Sequence, residues 1–360
     1  METQIAGLDS ILLRVPLDAR WAAHGITELE VVHVTLTDDD GATGTGFTFS
    51  LSGGAGAMRA LVDGVIGEAV VGTRVERWDR RWHDMWARTH RLGRGVALPA
   101  LSAVDIAVWD LRAHRAGLPL YRLLGAHRDE VPAYASLGGM PAMTTEGLVA
   151  TATAYVDQGF DAIKLFCGAR GLAEEVDRVA AVREAVGDRV RIMVDCNERL
   201  DQPDALWFGR HLAHHDVYWL EEPLASDDIA GHVRLADRLD IPIAAGEHLL
   251  GRFEFLEYLR HGAAAVVQPD TPLMGGISEC LRVATLAEAH GAVLCPHFLP
   301  ELHVHVVAGT RAGKYVEHFP LIGDLLEESL HVTHGVMRPP DRPGHGMLWS
   351  AAALERYRVR

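Results

Sequence analysis

The sequence predicts an α/β protein, a modified (β/α)8 TIM barrel with an N-terminal α+β capping domain, and three observations lead there. From about Val131 onward, eight short apolar runs alternate with amphipathic stretches at the spacing of βα units. Ahead of them the chain alternates like an antiparallel sheet and then turns helical, the order of an α+β block. No G-x-G-x-x-G or G-x-x-x-x-G-K-S/T run stands between a strand and a helix, so a nucleotide-binding open sheet lacks its fingerprint.

The first block opens with SILLRVPL and ELEVVHVTLTDD. A turn at Asp40-Gly41 leads into ATGTGFTFS, a strong hairpin signal between two alternating runs. Helical spacing is expected from about Gly56 to Asp79 and from Ser102 to Ala116, where Ala103, Ile106, Ala107, Trp109, Asp110 and Ala113 recur on one helical pattern. Gly117, Leu118 and Pro119 stop the second helix. The barrel strands are then VPAYAS, AIKLF, RIMVD, VYWLEEP, PIAAGE, AAVVQPD, AVLCPH and KYVEHF, with helices such as EEVDRVAAVREAVG and SECLRVATLAEAHG between them. The expected boundaries are 1–125 for the cap, 126–325 for the barrel, and 326–360 for a turn-rich C-terminal segment that packs back on the cap.

At 360 residues the chain is long enough for one large domain and a smaller companion. A formal charge of -15 argues against a nucleic-acid partner, since phosphate binding needs a surplus of Lys and Arg. The amino terminus has no apolar core of signal-peptide length, and no later segment approaches a membrane span. Cys167, Cys196, Cys280 and Cys295 form no C-x-x-C pair, so reduced thiols in a cytoplasm are expected, with Cys167 and Cys196 read as small packing residues. The expected partners are small molecules or further copies of the chain.

Barrels of this kind do their chemistry at the carboxyl ends of the strands. The last residues of the runs are unusually polar: Lys164, Asp195, Glu221, Glu247, Asp270, His297 and Glu317. Asp195, Glu221 and Glu247 end three successive strands and would repel one another without a cation. They read as an all-oxygen site for a hard ion, Mg²⁺ first. Solvated loop carboxylates are the bland alternative. Asn197 either positions the first ligand, touches the substrate, or is an ordinary turn residue. Asp270 and His297 end adjacent strands; a carboxylate on one ring nitrogen fixes the tautomer and raises the basicity of the other, as a general base requires. His214, His215, His303 and His305 are assigned to helix surfaces or packing.

Taken in order, K-x-x, VDCN, EEP, GEH, QPD, PHFLPELH and VEHF resemble the mandelate racemase branch of the enolase superfamily, and the similarity spans nearly the whole chain. It includes ALSAVDIAVWDLRAHRAGLPLYRLLG, similar to that family's segment before the barrel. The resemblance implies Mg²⁺ on Asp195, Glu221 and Glu247 and a base dyad of Asp270 and His297. It further implies that Glu317 hydrogen-bonds a substrate carboxylate oxygen and that Lys164 faces the same carboxylate. It implies a first cap loop, about Leu17 to Ile26, closing over the substrate, with Trp21 and His24 at its distal end or packed under the rim. A loop around Ser50 to Ala57 is a candidate lid, and Ser136 and Arg170 are candidate mouth residues. Family members are commonly multimeric.

One position departs from the family pattern. Members that racemise carry K-x-K on the second barrel strand, and here the second lysine is Phe166. Racemisation wants a base on each face of the α-carbon, and Phe166 removes the obvious second one. A single dyad can still take the α-proton and then protonate a β-hydroxyl as it leaves. The expected reaction is therefore dehydration of an acid sugar, a 2,3-dihydroxy carboxylate, to a 2-keto-3-deoxy acid. Its rivals are a racemase or epimerase that recruits Lys164 as second base, and a non-catalytic barrel that holds Mg²⁺ or a sugar acid.

Overall fold

The computed structural model describes residues 3–18, 21, 25–51, 53–137 and 142–360. Strands β1 (Ile5–Pro16), β2 (Glu28–Asp38) and β3 (Thr43–Ser50) form an antiparallel sheet in that order. At the β2–β3 turn Asp38 Oδ1 accepts from the Asp40 and Ala42 amides at 3.0 and 2.8 Å, and Gly41 takes the left-handed φ of 83° that the hairpin demands. The long helix Arg94–Ala116 lies on this sheet. The two glycines of β3 permit the close approach: a Cβ on Gly44 would stand 2.4 Å from the Ala107 carbonyl oxygen, and one on Gly46 2.2 Å from that of Ala103.

Two helix boundaries differ from the sequence reading. The helix expected from Ser102 starts at Arg94 and contains Pro99, because Ala97, Leu98, Ala100 and Leu101 are buried and tertiary packing outweighs local propensity. The helix expected across 56–79 is interrupted. Gly64 leaves helical backbone, the helix ends at Val70, and another begins at Trp78. The cause is capture of the intervening chain by the start of the sheet: Ile5 N–H donates to the Thr73 carbonyl and Val75 N–H to that of Thr3, both at 3.0 Å.

The barrel strands are β4 (Val131–Ser136), β5 (Ala162–Phe166), β6 (Arg191–Asp195), β7 (Val217–Glu221), β8 (Ile243–Ala245), β9 (Val266–Val267), β10 (Val293–Leu294) and β11 (Val316–His318). Neighbours pair in parallel in chain order from β4 to β10, and β11 returns to pair with β4. The ring closes where Lys314 N–H donates to the Leu294 carbonyl at 2.9 Å. Tyr134, Ala162, Met193, Trp219, Cys295 and Tyr315 share one core inside the barrel, while Ile163, Leu165, Ile192, Val194 and Leu220 belong to the core under the helices. Side chains alternate with period two. The next inward positions are therefore Ser136, Lys164, Asp195, Glu221, His297 and Glu317, and the fold delivers them as one layer at the mouth.

The cap is fastened to the barrel by buried polar contacts. Asp105, held within the cap by Trp78 Nε1 at 2.7 Å, accepts from the Ser278 amide of the barrel at 2.8 Å, and Trp82 Nε1 donates to the Gly275 carbonyl at 2.9 Å. The C-terminal segment divides its contacts. Strands β12 (Val332–Thr333) and β13 (Val336–Met337) form a hairpin whose second strand pairs with β4, while Val359 N–H donates to Leu12 of the cap at 2.8 Å. Among the described residues no helix is long and apolar enough to cross a membrane, and the four cysteines are buried and unbridged.

Candidate active site

Between cap and barrel mouth lies a cavity of about 520 Å³, lined on its barrel side by Ser136, Lys164, Phe166, Asp195, Asn197, Glu247, His248 and His297. One carboxylate oxygen from each of Asp195, Glu221 and Glu247 falls within 4.8 Å of the other two, a donor set suited to a hard divalent cation. The carboxylates are also held by neighbouring groups. Asn197 N–H donates to Asp195 Oδ1 at 2.9 Å, Trp219 Nε1 to Glu221 Oε2 at 2.9 Å, and Asn197 Nδ2 to Glu247 Oε1 at 3.3 Å. Such contacts from outside the cluster hold the three carboxylates in orientation.

Electrostatics make the same demand for a cation. Burial raises all three acids above the ordinary carboxylate range, Glu221 to about 8, and mutual repulsion adds to it. Lys164, only 4% exposed, is held among Glu221 Oε1 at 2.5 Å, Glu317 Oε1 at 3.1 Å and Asp195 Oδ2 at 3.2 Å. Burial alone would lower its pKa; Glu221, Glu317, Tyr134 and Asp195 outweigh that and keep it well above the usual lysine value.

Beyond this cluster His297 Nδ1 lies 2.9 Å from Asp270 Oδ2, and its Nε2 lies 3.3 Å from Glu247 Oε2. Burial, followed by the charge of Lys164, lowers the imidazole well below its ordinary value; burial likewise raises Asp270. Both shifts favour a neutral ring. The backbone exits sharply after His297, with Phe298 and Leu299 in left-handed conformation at φ 54° and 46°. Such geometry costs a non-glycine residue about 1–2 kcal/mol and persists only where the surroundings impose it. They do so here. Phe298 N–H donates to Glu317 Oε2 at 2.8 Å, and His303 bridges the Phe298 carbonyl (Nδ1, 2.8 Å) and the Thr271 amide (Nε2, 3.3 Å). Asn197, Glu198 and Glu222, close after two of the cation-site carboxylates, are left-handed as well.

Sequence-predicted residues thus meet in one place, with two exceptions. Arg170 does not line the cavity; its guanidinium pairs with Glu174 and donates to the Met143 carbonyl at 2.9 Å. His24 lies outside the described residues. Trp21, Ser136 and Asn197 do line the cavity, as do Ser50 and Leu51 from the loop expected to act as a lid. Sequence reasoning missed His248, whose Nδ1 sits 3.0 Å from both oxygens of Glu222, and the aromatic wall of Phe49, Phe298 and Phe319. For His248 a signal existed, since it follows Glu247 directly. Phe166 lines the same cavity from β5, and the Arg199 guanidinium lies 4.9 Å from its ring centre.

A capped eight-stranded barrel, with three converging acids beside a buried histidine–aspartate pair, defines a class of carboxylate-handling enzymes. The chain belongs to the mandelate racemase/muconate lactonizing enzyme family: residues 9–125 match its N-terminal domain and residues 147–353 match the enolase C-terminal domain-like family. A 3,6-anhydro-alpha-L-galactonate cycloisomerase from Streptomyces coelicolor is 37% identical over 354 residues, 97% of this chain and 98% of the relative. An L-talarate/galactarate dehydratase from Salmonella typhimurium is 37% identical over 329 residues, 91% of this chain and 82% of the relative. Among solved structures, a racemase from Streptomyces coelicolor with bound magnesium superposes with TM-score 0.94 at 36% identity, covering 99% of this chain and 100% of that one.

Proposed function

We propose that the protein is a Mg²⁺-dependent lyase that removes the proton next to a substrate carboxylate and expels a β-oxygen, most simply dehydrating an acid sugar to a 2-keto-3-deoxy acid. The observation that carries this reading is the asymmetry of the cavity lining: a histidine–aspartate pair after β10, and Phe166 rather than a second base after Lys164 on β5. Relatives are named as a dehydratase and as a cycloisomerase, and loss of water from a 2,3-dihydroxy carboxylate is a β-elimination.

His297 Nε2 takes the α-proton, and Asp270 holds Nδ1 and stabilises the imidazolium that forms. Lys164 and Glu317 lie where the substrate carboxylate gains charge as the enediolate develops, and fixed charges in a water-poor site stabilise it without reorganising. A magnesium ion held by Asp195, Glu221 and Glu247 would supply Lewis-acid charge to the same carboxylate. The His297 proton then goes to the departing β-hydroxyl on the same face. Recruiting Lys164 as a second base is disfavoured, since its ammonium sits between three carboxylates.

Incubating the enzyme and Mg²⁺ with a panel of mono- and diacid sugars, and assaying 2-keto acid, tests the reading. Product from at least one 2,3-dihydroxy carboxylate is expected; epimers without keto acid would favour the racemase instead. The reading also includes a cytoplasmic setting, supported by four unbridged cysteines, and a homo-oligomer, which sedimentation would measure.

A further inference from the structure

Asp270 and His297 follow two neighbouring barrel strands, β9 and β10, and the chain leaves the ladder at both. Among the described residues the last backbone hydrogen bond between the two segments runs from His297 N–H to the Pro269 carbonyl, at 3.3 Å. Past it the segments part. Asp270 opens a turn, its carbonyl accepting from the Leu273 and Met274 amides at 2.9 and 3.1 Å, while His297 leads into the left-handed pair Phe298 and Leu299. The side chains of the pair share one contact, Nδ1 to Oδ2 at 2.9 Å. Asp270 Oδ1 is buried with no hydrogen-bond partner among the described residues. The carboxylate is therefore oriented by His297 at one end and by its own backbone at the other.

One side chain spans the gap. His303, fully buried on the helix Pro300–Gly309, presents one ring nitrogen to each segment. The amide of Thr271, the residue after Asp270, donates to Nε2 at 3.3 Å; Nδ1 donates to the carbonyl of Phe298, the residue after His297, at 2.8 Å. An amide can only donate and a carbonyl can only accept, so both bonds form with the ring neutral and its proton on Nδ1. Burial favours that form, lowering His303 to about 4. A charged ring would lose the Thr271 bond, and its charge would oppose the imidazolium that His297 becomes. The helix is anchored in turn through His305, two residues on, which donates from Nε2 to the His345 carbonyl at 2.8 Å and accepts the Tyr121 amide at Nδ1, 3.2 Å.

We propose that His303 is a positioning residue for the proton-transferring pair: by gripping the residue after Asp270 and the residue after His297, it fixes the spacing between the two. This rests on the reading of His297 as the base. His303 is fully buried and does not line the cavity, so its influence passes through the backbone at residues 271 and 298. Proton transfer is sensitive to such spacing, since a misplacement of about 1 Å can cost about 10²-fold in rate. A histidine that merely filled the core would need its volume and would not need both nitrogens bonded to the two segments that carry the pair.

The test compares His303→Leu with wild type, as the full chain with Mg²⁺. It reads α-proton exchange and 2-keto acid formation on a panel of mono- and diacid sugars, Mg²⁺ affinity by calorimetry, and the His297 to Asp270 distance in a crystal structure. The expected result is kcat lower by about 10–100-fold with KM within about threefold of wild type, Mg²⁺ affinity unchanged, and Nδ1 to Oδ2 stretched to about 3.5 Å or more. His303→Asn keeps a donor for Phe298 and His303→Gln an acceptor for Thr271, so each should lose about tenfold or less in kcat. These two carry the test if the leucine variant does not fold. Wild-type kcat in every variant, a loss that falls on KM or on Mg²⁺ affinity instead, or an unchanged 2.9 Å contact in a variant of low activity overturns the positioning role and leaves His297 as the base. No α-proton exchange by wild type with any acid of the panel overturns the base assignment, and the positioning role with it.

Discussion

The β5 flank and the β10 flank of the cavity rise from the same barrel by the same alternation of side chains, yet they carry opposite chemistry. On β5 the mouth-facing pair is Lys164, locked among three carboxylates, and Phe166, which holds no proton. After β10 it is His297, held by Asp270 and lowered by burial into its neutral form. In the proposed reaction one flank would stabilise charge and the other would move protons, which would confine acid–base work to one face of the substrate.

Removing the active flank should have the largest effect. His297→Asn is expected to lower kcat by about 10³–10⁴-fold for every substrate, with Mg²⁺ binding retained; residual activity near wild type would show that the proton moves elsewhere. Disturbing what both flanks share comes next. Glu221→Gln should weaken Mg²⁺ binding by about 10–100-fold by titration calorimetry, and activity should partly recover at high Mg²⁺. Erasing the difference is the sharpest intervention. Phe166→Lys restores a possible base on the β5 flank; exchange of the α-proton in the opposite epimer should become measurable in deuterated water, while elimination falls by about tenfold or less.

An effect on stability rather than on catalysis lies outside both flanks, at the seam between cap and barrel. Burial raises Asp105 to about 6, against the hydrogen bonds from Ser278 and Trp78, from an ordinary value of 3.8. Between those values the folded protein binds more protons than the unfolded chain, so this group's contribution to stability falls as pH rises from about 4 to 6. The total is on the order of 2–3 kcal/mol. Thermal midpoints of wild type and Asp105→Asn across that range should differ by a pH-dependent amount, and parallel curves would remove Asp105 as the source.

How far the site could be read from the sequence follows from the period of a strand. Inward positions recur every second residue, so Lys164, Asp195, Glu221, His297 and Glu317 are legible in the sequence as run ends. The aromatic wall is not. Phe298 reaches the cavity because residues 298 and 299 adopt left-handed backbone, and no glycine marks that turn. Phe319 and Trp21 come from separate elements and meet only in the fold. The start of the long cap helix was hidden for a related reason: Gly95 and Pro99 read locally as loop, and burial of their neighbours overrides them.

The most direct test of one-sided proton transfer is α-deuterium exchange for a pair of substrate epimers in deuterated water with Mg²⁺, followed by NMR. The account predicts that wild type exchanges one epimer and leaves the other untouched, and that His297→Asn exchanges neither. Exchange of both epimers by wild type, with their interconversion, would place a second base opposite His297 and contradict it.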